Sequence, residues 1–200
     1  MIKEEIVQTA FDLFSQYGIK SVSMDDIARN MSISKRTLYA CFEDKEALLI
    51  TGINFNYLQL LSFLEMLEKE PLSVLEVILL FYQEVMKNPR WYSRKFYDDL
   101  KRYPKALQSK EVCKEQFAKK CMFLFARGVK EEVFQPGVNF DILTVLVKEQ
   151  AKMIHPSRAF LNHSAQEVYY TMLLTFLRGI STEKGQAILE KYTMKKTFMS

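Results

Sequence analysis

Residues 23–45, with the sequence SMDDIARNMSISKRTLYACFEDK, decide the fold of the chain. Ser23 and Ser34 each have a hydroxyl that can cap the N-terminus of a short helix. The two predicted helices are separated by a turn that is short enough to be a tight corner. Polar and aromatic side chains crowd the first turns of the second helix, where a reading helix presents hydrogen-bond donors to the major groove. The stretch favours a DNA-binding helix-turn-helix; the alternative is a capped helical corner with a structural role only.

The candidate DNA contacts are side chains at the starts of these helices and of the helix that follows. They are Ser23, Ser34, Lys35, Arg36, Thr37, Tyr39 and Lys45. Lys35 and Arg36 open the second helix, so we expect them to reach base edges or the neighbouring phosphates. Lys45 opens the next helix, where free backbone N–H groups and the helix dipole favour a bound phosphate.

With its flanks, this stretch resembles the DNA-binding domain of the TetR family of transcriptional regulators over residues 1–50. The resemblance is carried by Ile6, Ala10, Leu13, Phe14, Gly18, Ser23, Ile27, Ala28, Ser34, Lys35, Thr37, Leu38, Tyr39, Phe42, Lys45 and Leu48. Two features depart from the family pattern. Met31 and Ser32 stand where the family usually has a small residue and then Gly, and Cys41 stands where it usually has His or Tyr.

The resemblance implies a transcriptional regulator, specifically a repressor that a small-molecule effector releases from an inverted-repeat operator. The competing interpretation is a helical small-molecule binding protein whose helix-turn-helix is only structural. Salt-dependent binding to duplex DNA separates the two interpretations.

Apolar residues recur at helical spacing along the whole chain, and the prolines fall between these periodic segments. No segment alternates apolar and polar residues for long enough to predict a strand. We therefore predict an all-α fold of about nine to ten helices. Residues 1–46 are expected to form a three-helix DNA-binding domain, and residues 47–200 a helical ligand-binding and dimerisation domain.

Charge and composition suit such a protein without demonstrating it. The 200 residues are 48% hydrophobic, which is enough for a sizeable core, and the net charge is +4. Residues 1–50, however, hold six Lys or Arg and eight Asp or Glu, a net charge of −2. Attraction to DNA phosphates must therefore come from the local placement of cations.

The sequence also predicts a cytoplasmic protein with no membrane segment. Cys41, Cys113 and Cys121 lack the spacing of a metal or redox motif and are expected to be reduced thiols. The chain starts directly in an amphipathic helix, with no apolar signal sequence. Residues 47–64 are uncharged but contain several polar side chains, which favour a buried helix over a membrane span.

Residues 139–179 carry the signal for a partner chain. The second of the two helices predicted here is apolar nearly all round, so it must be covered on two sides. By resemblance, these two helices form a four-helix bundle across a two-fold axis. We expect a homodimer through residues 139–179; the alternative is a monomer in which another segment covers both sides.

No constellation of residues supports catalysis. The glycines form neither a dinucleotide motif nor a P-loop. His155 and His163 have no cysteine or acid at metal-ligand spacing, and the adjacent Asp98 and Asp99 point different ways on a helix. We expect no enzymatic activity, no metal and no cofactor.

An effector pocket is expected in the middle of the chain, which is rich in aromatic residues. By resemblance, the family binds small, often apolar or aromatic effectors in this helical region, in pockets that are mainly apolar. The candidate lining residues are Tyr82, Trp91, Phe96, Tyr97, Phe117 and Phe123. The competing interpretation is that most of them are core residues, as aromatics at helical spacing usually are.

Overall fold

The structure is a computed structural model that describes residues 2–87, 93–154, 160 and 162–194. This part of the chain forms ten α-helices and no strand, apart from one isolated β-bridge between Phe134 and Ser181. The helices are α1 Ile2–Tyr17, α2 Met24–Asn30, α3 Lys35–Cys41, α4 Lys45–Lys69, α5 Val74–Lys87, α6 Arg94–Leu100, α7 Pro104–Lys130, α8 Phe140–Ile154, α9 Ala165–Ile180 and α10 Glu183–Met194. The all-α prediction is confirmed.

The chain divides into two compact units. The first unit comprises Met1–Leu60 with Pro89–Gln116, and the second unit comprises Leu61–Asn88 with Phe117–Ser200. The divisions therefore fall inside α4 and α7. The predicted boundary after residue 46 separates the DNA-binding domain from the ligand-binding and dimerisation domain by function. This boundary stays a prediction.

Serine caps fix the start of α2 and of α3. The Ser23 hydroxyl accepts the Asp26 N–H at 3.1 Å, and the Asp26 carboxylate accepts the Ser23 N–H at 2.9 Å, which together form a capping box. The Ser34 hydroxyl accepts the Thr37 N–H at 3.0 Å. Between the helices, Ser32 has φ 55, the left-handed region that glycine adopts most easily. This explains why the position of Ser32 suits glycine in the family pattern.

The core of the first unit joins α1 to the helix-turn-helix and to α6. Ile6, Phe14, Ile27 and Leu38 are all fully buried in it. The remaining core of this unit includes Phe11, which packs against Phe96 of α6 with ring centroids 5.5 Å apart.

Polar contacts also tie α6 and the start of α7 to the helix-turn-helix part of the first unit. The Asp99 carboxylate accepts the backbone N–H of Lys20 at 2.8 Å, just after α1. The Glu46 carboxylate of α4 accepts the backbone N–H of Lys105 at 2.8 Å and satisfies a free donor at the start of α7. These contacts join segments that are 79 and 59 residues apart in sequence.

The second unit has a core of its own, built from α5, from the later parts of α4 and α7, and from α8 to α10. Leu75, Phe134, Leu143 and Leu177 are among its buried residues. Leu177, on α9, is 3% exposed, so it belongs to the core of this chain.

Helix α4 is the one helix in the described residues that is long and apolar enough to cross a membrane by length and composition. Of its most apolar 18-residue window, 39% is buried in the structure. Asn56 is buried, and the Asn54 side chain accepts a hydrogen bond from the Ser109 hydroxyl at 3.0 Å. Core helices of globular proteins have the same length and composition, so the expected absence of a membrane segment stays a prediction.

Gly52→Ala is expected to lower the free energy of unfolding. A Cβ at Gly52 would overlap the ring of Phe11, which is itself buried. Overpacking of this kind costs about 1–3 kcal/mol, against a gain in helix propensity of about 1 kcal/mol. Gly179→Ala in α9 is the matched control, because no atom of the described residues, apart from its chain neighbours and its own helix backbone, lies within 4 Å of the added methyl group. Thermal unfolding should show a lower midpoint for Gly52→Ala and an equal or higher one for Gly179→Ala. A Gly52→Ala midpoint at or above that of the wild type would contradict the packing described here.

Candidate nucleic-acid interface

Helix α3 is held to the first unit by one face and exposes the other. Leu38 is the buried residue of this helix. Lys35, Arg36 and Tyr39 are exposed, and the exposed fraction of Tyr39 is 49%. A short, capped helix with one buried anchor and several exposed donors has the form of a helix that enters the major groove.

Most of the predicted DNA-contacting side chains already have partners in the protein. The Ser34 and Thr37 hydroxyls lie 2.8 Å apart and form part of the α3 cap. The Lys35 ammonium forms an ion pair with Asp25 of α2 at 2.5 Å. Ser23 serves the α2 cap described above. Arg36 and Tyr39 have no hydrogen bond or ion pair among the described residues.

Lys45 contacts the protein backbone in the structure, whereas the sequence predicts that it contacts a DNA phosphate. Its ammonium donates to the backbone carbonyl of Ile19 at 2.9 Å, so it braces the segment between α1 and α2. Burial lowers the pKa of Lys45, while the charges of Asp99 and Asp26 act in the opposite direction. Local sequence could not reveal this contact, because the two residues are 26 positions apart. A phosphate contact by Lys45 stays a prediction.

Comparison with known proteins agrees with this geometry. Residues 6–51, which run from α1 into α4, match the sequence model described as Bacterial regulatory proteins, tetR family. Over residues 6–51, the chain is similar to the TetR family. This confirms the resemblance found in the sequence, and the family is one of regulatory proteins, consistent with the expectation of a non-enzyme.

Two curated relatives each match a short stretch of this chain. An uncharacterized HTH-type transcriptional regulator, YuxN, of Bacillus subtilis strain 168 is 44% identical over 52 residues, which are 26% of this chain and 18% of the relative. The biofilm operon icaADBC HTH-type negative transcriptional regulator IcaR of Staphylococcus aureus strain Newman is 34% identical over 59 residues, 28% of this chain and 32% of the relative. The match therefore spans less than a third of the length of either relative.

The fold likeness extends much further along the chain. A TetR-family transcriptional regulator from Marinobacter aquaeolei VT8 superposes with a TM-score of 0.72 and 21% identity, covering 96% of this chain and 98% of that structure. At this identity the likeness concerns the fold alone. It agrees with an N-terminal helix-turn-helix followed by a helical domain.

The six residues predicted to line an effector pocket are divided between the two units. Phe96 and Tyr97 belong to the first unit, where Phe96 is core and the Lys110 ammonium lies 3.5 Å from the centroid of the Tyr97 ring. Burial, followed by the nearby Lys114 charge, lowers the pKa of Lys110 to about 7, against the opposite effect of Glu111. The aromatic faces of α6 are thus already used within the protein.

Phe117 and Phe123, two further residues predicted to line the pocket, differ from each other in their surroundings. Phe117 stacks on Phe81 in the second unit with ring centroids 5.4 Å apart. Phe123 is 73% exposed, and Trp91 lies outside the described residues. A TetR-family pocket lined by this set therefore stays a prediction.

Tyr82 differs from the other described residues of this set because its hydroxyl is buried and has no hydrogen-bond partner among the described residues. Its ring lies 6.5 Å from that of Tyr170 on α9. Burial raises the pKa of Tyr82, and the neighbouring Tyr169 and Tyr170 add to the effect, so the phenol stays protonated. A buried hydroxyl without a partner is destabilising, and it offers a ligand a hydrogen bond that the protein does not make.

Tyr82→Phe is accordingly expected to raise the free energy of unfolding by about 1 kcal/mol, because it removes the unsatisfied hydroxyl and keeps the ring. Tyr192→Phe is the matched control, since the Tyr192 hydroxyl lies 3.4 Å from the Glu76 carboxylate and its loss should destabilise. Denaturant unfolding of both variants measures the difference. A Tyr82→Phe variant that is clearly less stable than the wild type would show that the hydroxyl has a partner.

A groove in the first unit was missed by the sequence reasoning. It has a volume of about 480 Å³ and lies between α4 and α7; its lining includes Asn54, Tyr57, Leu58, Ser109, Val112 and Cys113. Both the Ser109 hydroxyl and the Cys113 thiol lie within hydrogen-bonding distance of the Asn54 side-chain oxygen. A search for aromatic residues overlooks this groove because, of the described residues that line it, Tyr57 alone is aromatic.

The apolar surface of residues 139–179 lies on α8. Ile142, Val145 and Leu146 are exposed by 58%, 57% and 48%, and their spacing puts them on one face of the helix. Helix α9 does have a polar face, so the prediction that it is apolar nearly all round is wrong. The exposed residues of that face are Gln166, Glu167, Thr171, Thr175 and Arg178.

Proposed function

We propose that this chain is a TetR-family transcriptional repressor that binds duplex DNA through α3, acts as a homodimer and is released by a small-molecule effector. The observation that carries the proposal is α3 itself, capped by Ser34, anchored by Leu38 and exposing Arg36 and Tyr39. Similarity to the negative regulator IcaR over 59 residues supports repression as the outcome.

The candidate DNA contacts have different roles in this proposal. Arg36 and Tyr39 are exposed and have no partner in the described residues, so they are the side chains that read base edges. Lys35 and Thr37 lie beside them in the first turn of α3; Thr37 acts next to the DNA backbone, and Lys35 is kept from it by its ion pair with Asp25. Ser23 and Ser34, with Lys45, position the helices first of all and reach phosphate only through their remaining hydrogen-bonding capacity.

The homodimer is proposed through residues 139–179, with the α8 face of Ile142, Val145 and Leu146 as its apolar centre. Exposed apolar residues grouped on one helix face are typical of an interaction surface. In an isologous contact, the same face of each chain meets across the two-fold axis. Two copies of α3 would then address the half-sites of an inverted-repeat operator.

Release by an effector requires that the ligand bind the DNA-incompetent arrangement more tightly than the DNA-bound one. Helix α4 begins beside the helix-turn-helix and continues into the second unit, so it is the natural link to a ligand site. The unpartnered Tyr82 hydroxyl supports an effector that carries a neutral hydrogen-bonding group. By linkage, operator DNA must weaken effector binding by the factor by which the effector weakens operator binding.

The experiment that tests the proposed function is selection of duplexes from a random library by the wild-type protein. A repressor of this kind should enrich an inverted repeat, and binding to it should weaken steeply as salt rises. A protein whose helix-turn-helix is only structural would enrich no sequence. That result would contradict the proposed function.

A further inference from the structure

Few of the cations in the helix-turn-helix domain are available to DNA phosphates. Arg29 forms an ion pair with Asp26 at 3.2 Å, and Lys35 forms one with Asp25 at 2.5 Å. Lys45 donates to a backbone carbonyl, as described above. The other cations of residues 1–50 are Lys3, Lys20 and Arg36, and none of the three has an ion pair among the described residues.

The pair between Asp25 and Lys35 joins the two helices of the helix-turn-helix. Asp25 lies in the first turn of α2, and Lys35 is the first residue of α3. The Lys35 side chain is 67% exposed and that of Asp25 is 41% exposed, so both are close to solvent at the face that α3 presents. Asp26, by contrast, is part of the α2 capping box, so its charge also has a role in folding.

An ammonium that is paired with a carboxylate attracts phosphate less than a free one, because the field of the pair is that of a dipole. Each phosphate that a protein neutralises releases condensed counterions and contributes close to one unit to the salt dependence of binding. This attraction is the same for every sequence, so withholding it weakens non-operator binding at least as much as operator binding.

We infer that Asp25 holds Lys35 away from the DNA backbone and so lowers affinity for DNA of any sequence, leaving operator preference to Arg36 and Tyr39. Asp25 is thus a positioning residue that lowers overall DNA affinity through Lys35. The inference rests on the proposed DNA binding.

The test measures affinity by fluorescence anisotropy, over a series of salt concentrations, for two duplexes. One duplex is the sequence selected by the wild-type protein, and the other is a scrambled duplex of equal length. Asp25→Asn should bind both duplexes several-fold more tightly at low salt, steepen the salt slope by about one unit and leave the ratio of operator to scrambled affinity unchanged. Glu84→Gln is the matched control: it frees the exposed Lys87 on α5 from a similar ion pair and should change none of these quantities.

The same salt series in a Lys35→Gln background shows whether Asp25 acts through Lys35. With no ammonium left to release, Asp25→Asn should leave the salt slope unchanged there. Lys35→Gln alone should also leave the salt slope unchanged. This measurement does not require the Asp25→Asn variant to fold. A slope that is flatter by one unit in Lys35→Gln would show that Lys35 already contacts phosphate, and the inference would be overturned.

Failure of this inference differs from failure of the proposed function. A wild-type protein that selects no sequence contradicts the proposed function. A wild-type protein that selects an operator, together with an Asp25→Asn variant of unchanged salt slope and unchanged DNA affinity, contradicts only the inference.

Discussion

The Val145→Glu variant is expected to sediment as a monomer and to bind the operator about 100- to 10,000-fold more weakly than the wild type. Val145 lies at the centre of the exposed apolar face of α8, between Ile142 and Leu146. A carboxylate there would be buried against its own copy across the two-fold axis, and burying unpaired like charges is costly. Loss of the dimer removes the gain in affinity that comes from engaging two half-sites at once.

Val112→Glu is the matched control for this prediction. Val112 lies on α7, outside residues 139–179, and at 47% it is exposed to nearly the same extent as Val145. The same substitution there should leave both sedimentation and operator affinity close to those of the wild type. A Val145→Glu variant that remains a dimer at micromolar concentration would place the interface elsewhere.

Arg36→Ala is the second large effect, with an expected loss of about 1–3 kcal/mol in operator affinity. The Arg36 side chain is exposed at the start of α3, and a guanidinium pairs with guanine through two parallel hydrogen bonds. If it reads a guanine, preference at that base pair should relax, while preference at the other positions should persist. Affinities for single-base-pair variants of the operator measure both effects.

Arg102→Ala serves as the control for charge removal. Arg102 is exposed just after α6 in the first unit, outside α3. Its loss should leave the ranking of operator variants unchanged. An Arg36→Ala variant with the operator affinity and base preference of the wild type would remove Arg36 from the reading surface.

Local sequence signals were sufficient for the helix-turn-helix. The serine caps of α2 and α3, with Asp26 completing a capping box, depend on residues three positions apart and can be read directly from the chain. Burial of Leu38 and exposure of Arg36 follow from their positions on a short amphipathic helix. Here the predicted caps at Ser23 and Ser34 agree with the structure.

Contacts between distant segments could not be read in the same way. Lys45 looked free to bind phosphate, but its ammonium is held by the Ile19 carbonyl. Tyr97 looked available to a ligand, but its ring faces Lys110. Which face of a helix is covered depends on neighbours that the sequence pattern does not name.

The polar face of α9 is a different case, because the sequence did contain the signal. Glu167, Thr171, Thr175 and Arg178 follow one another at helical spacing, and the structure exposes all four. Counting apolar residues along the helix hid this regular spacing.

Recognition of a DNA sequence by α3 is tested by the ratio of two DNA affinities. We would measure the equilibrium affinity of the wild-type protein for its selected duplex and for a scrambled duplex of equal length, at physiological salt. We expect the protein to bind the selected duplex about a thousandfold more tightly than the scrambled duplex, or more tightly still. Equal affinity for the two duplexes would contradict this expectation.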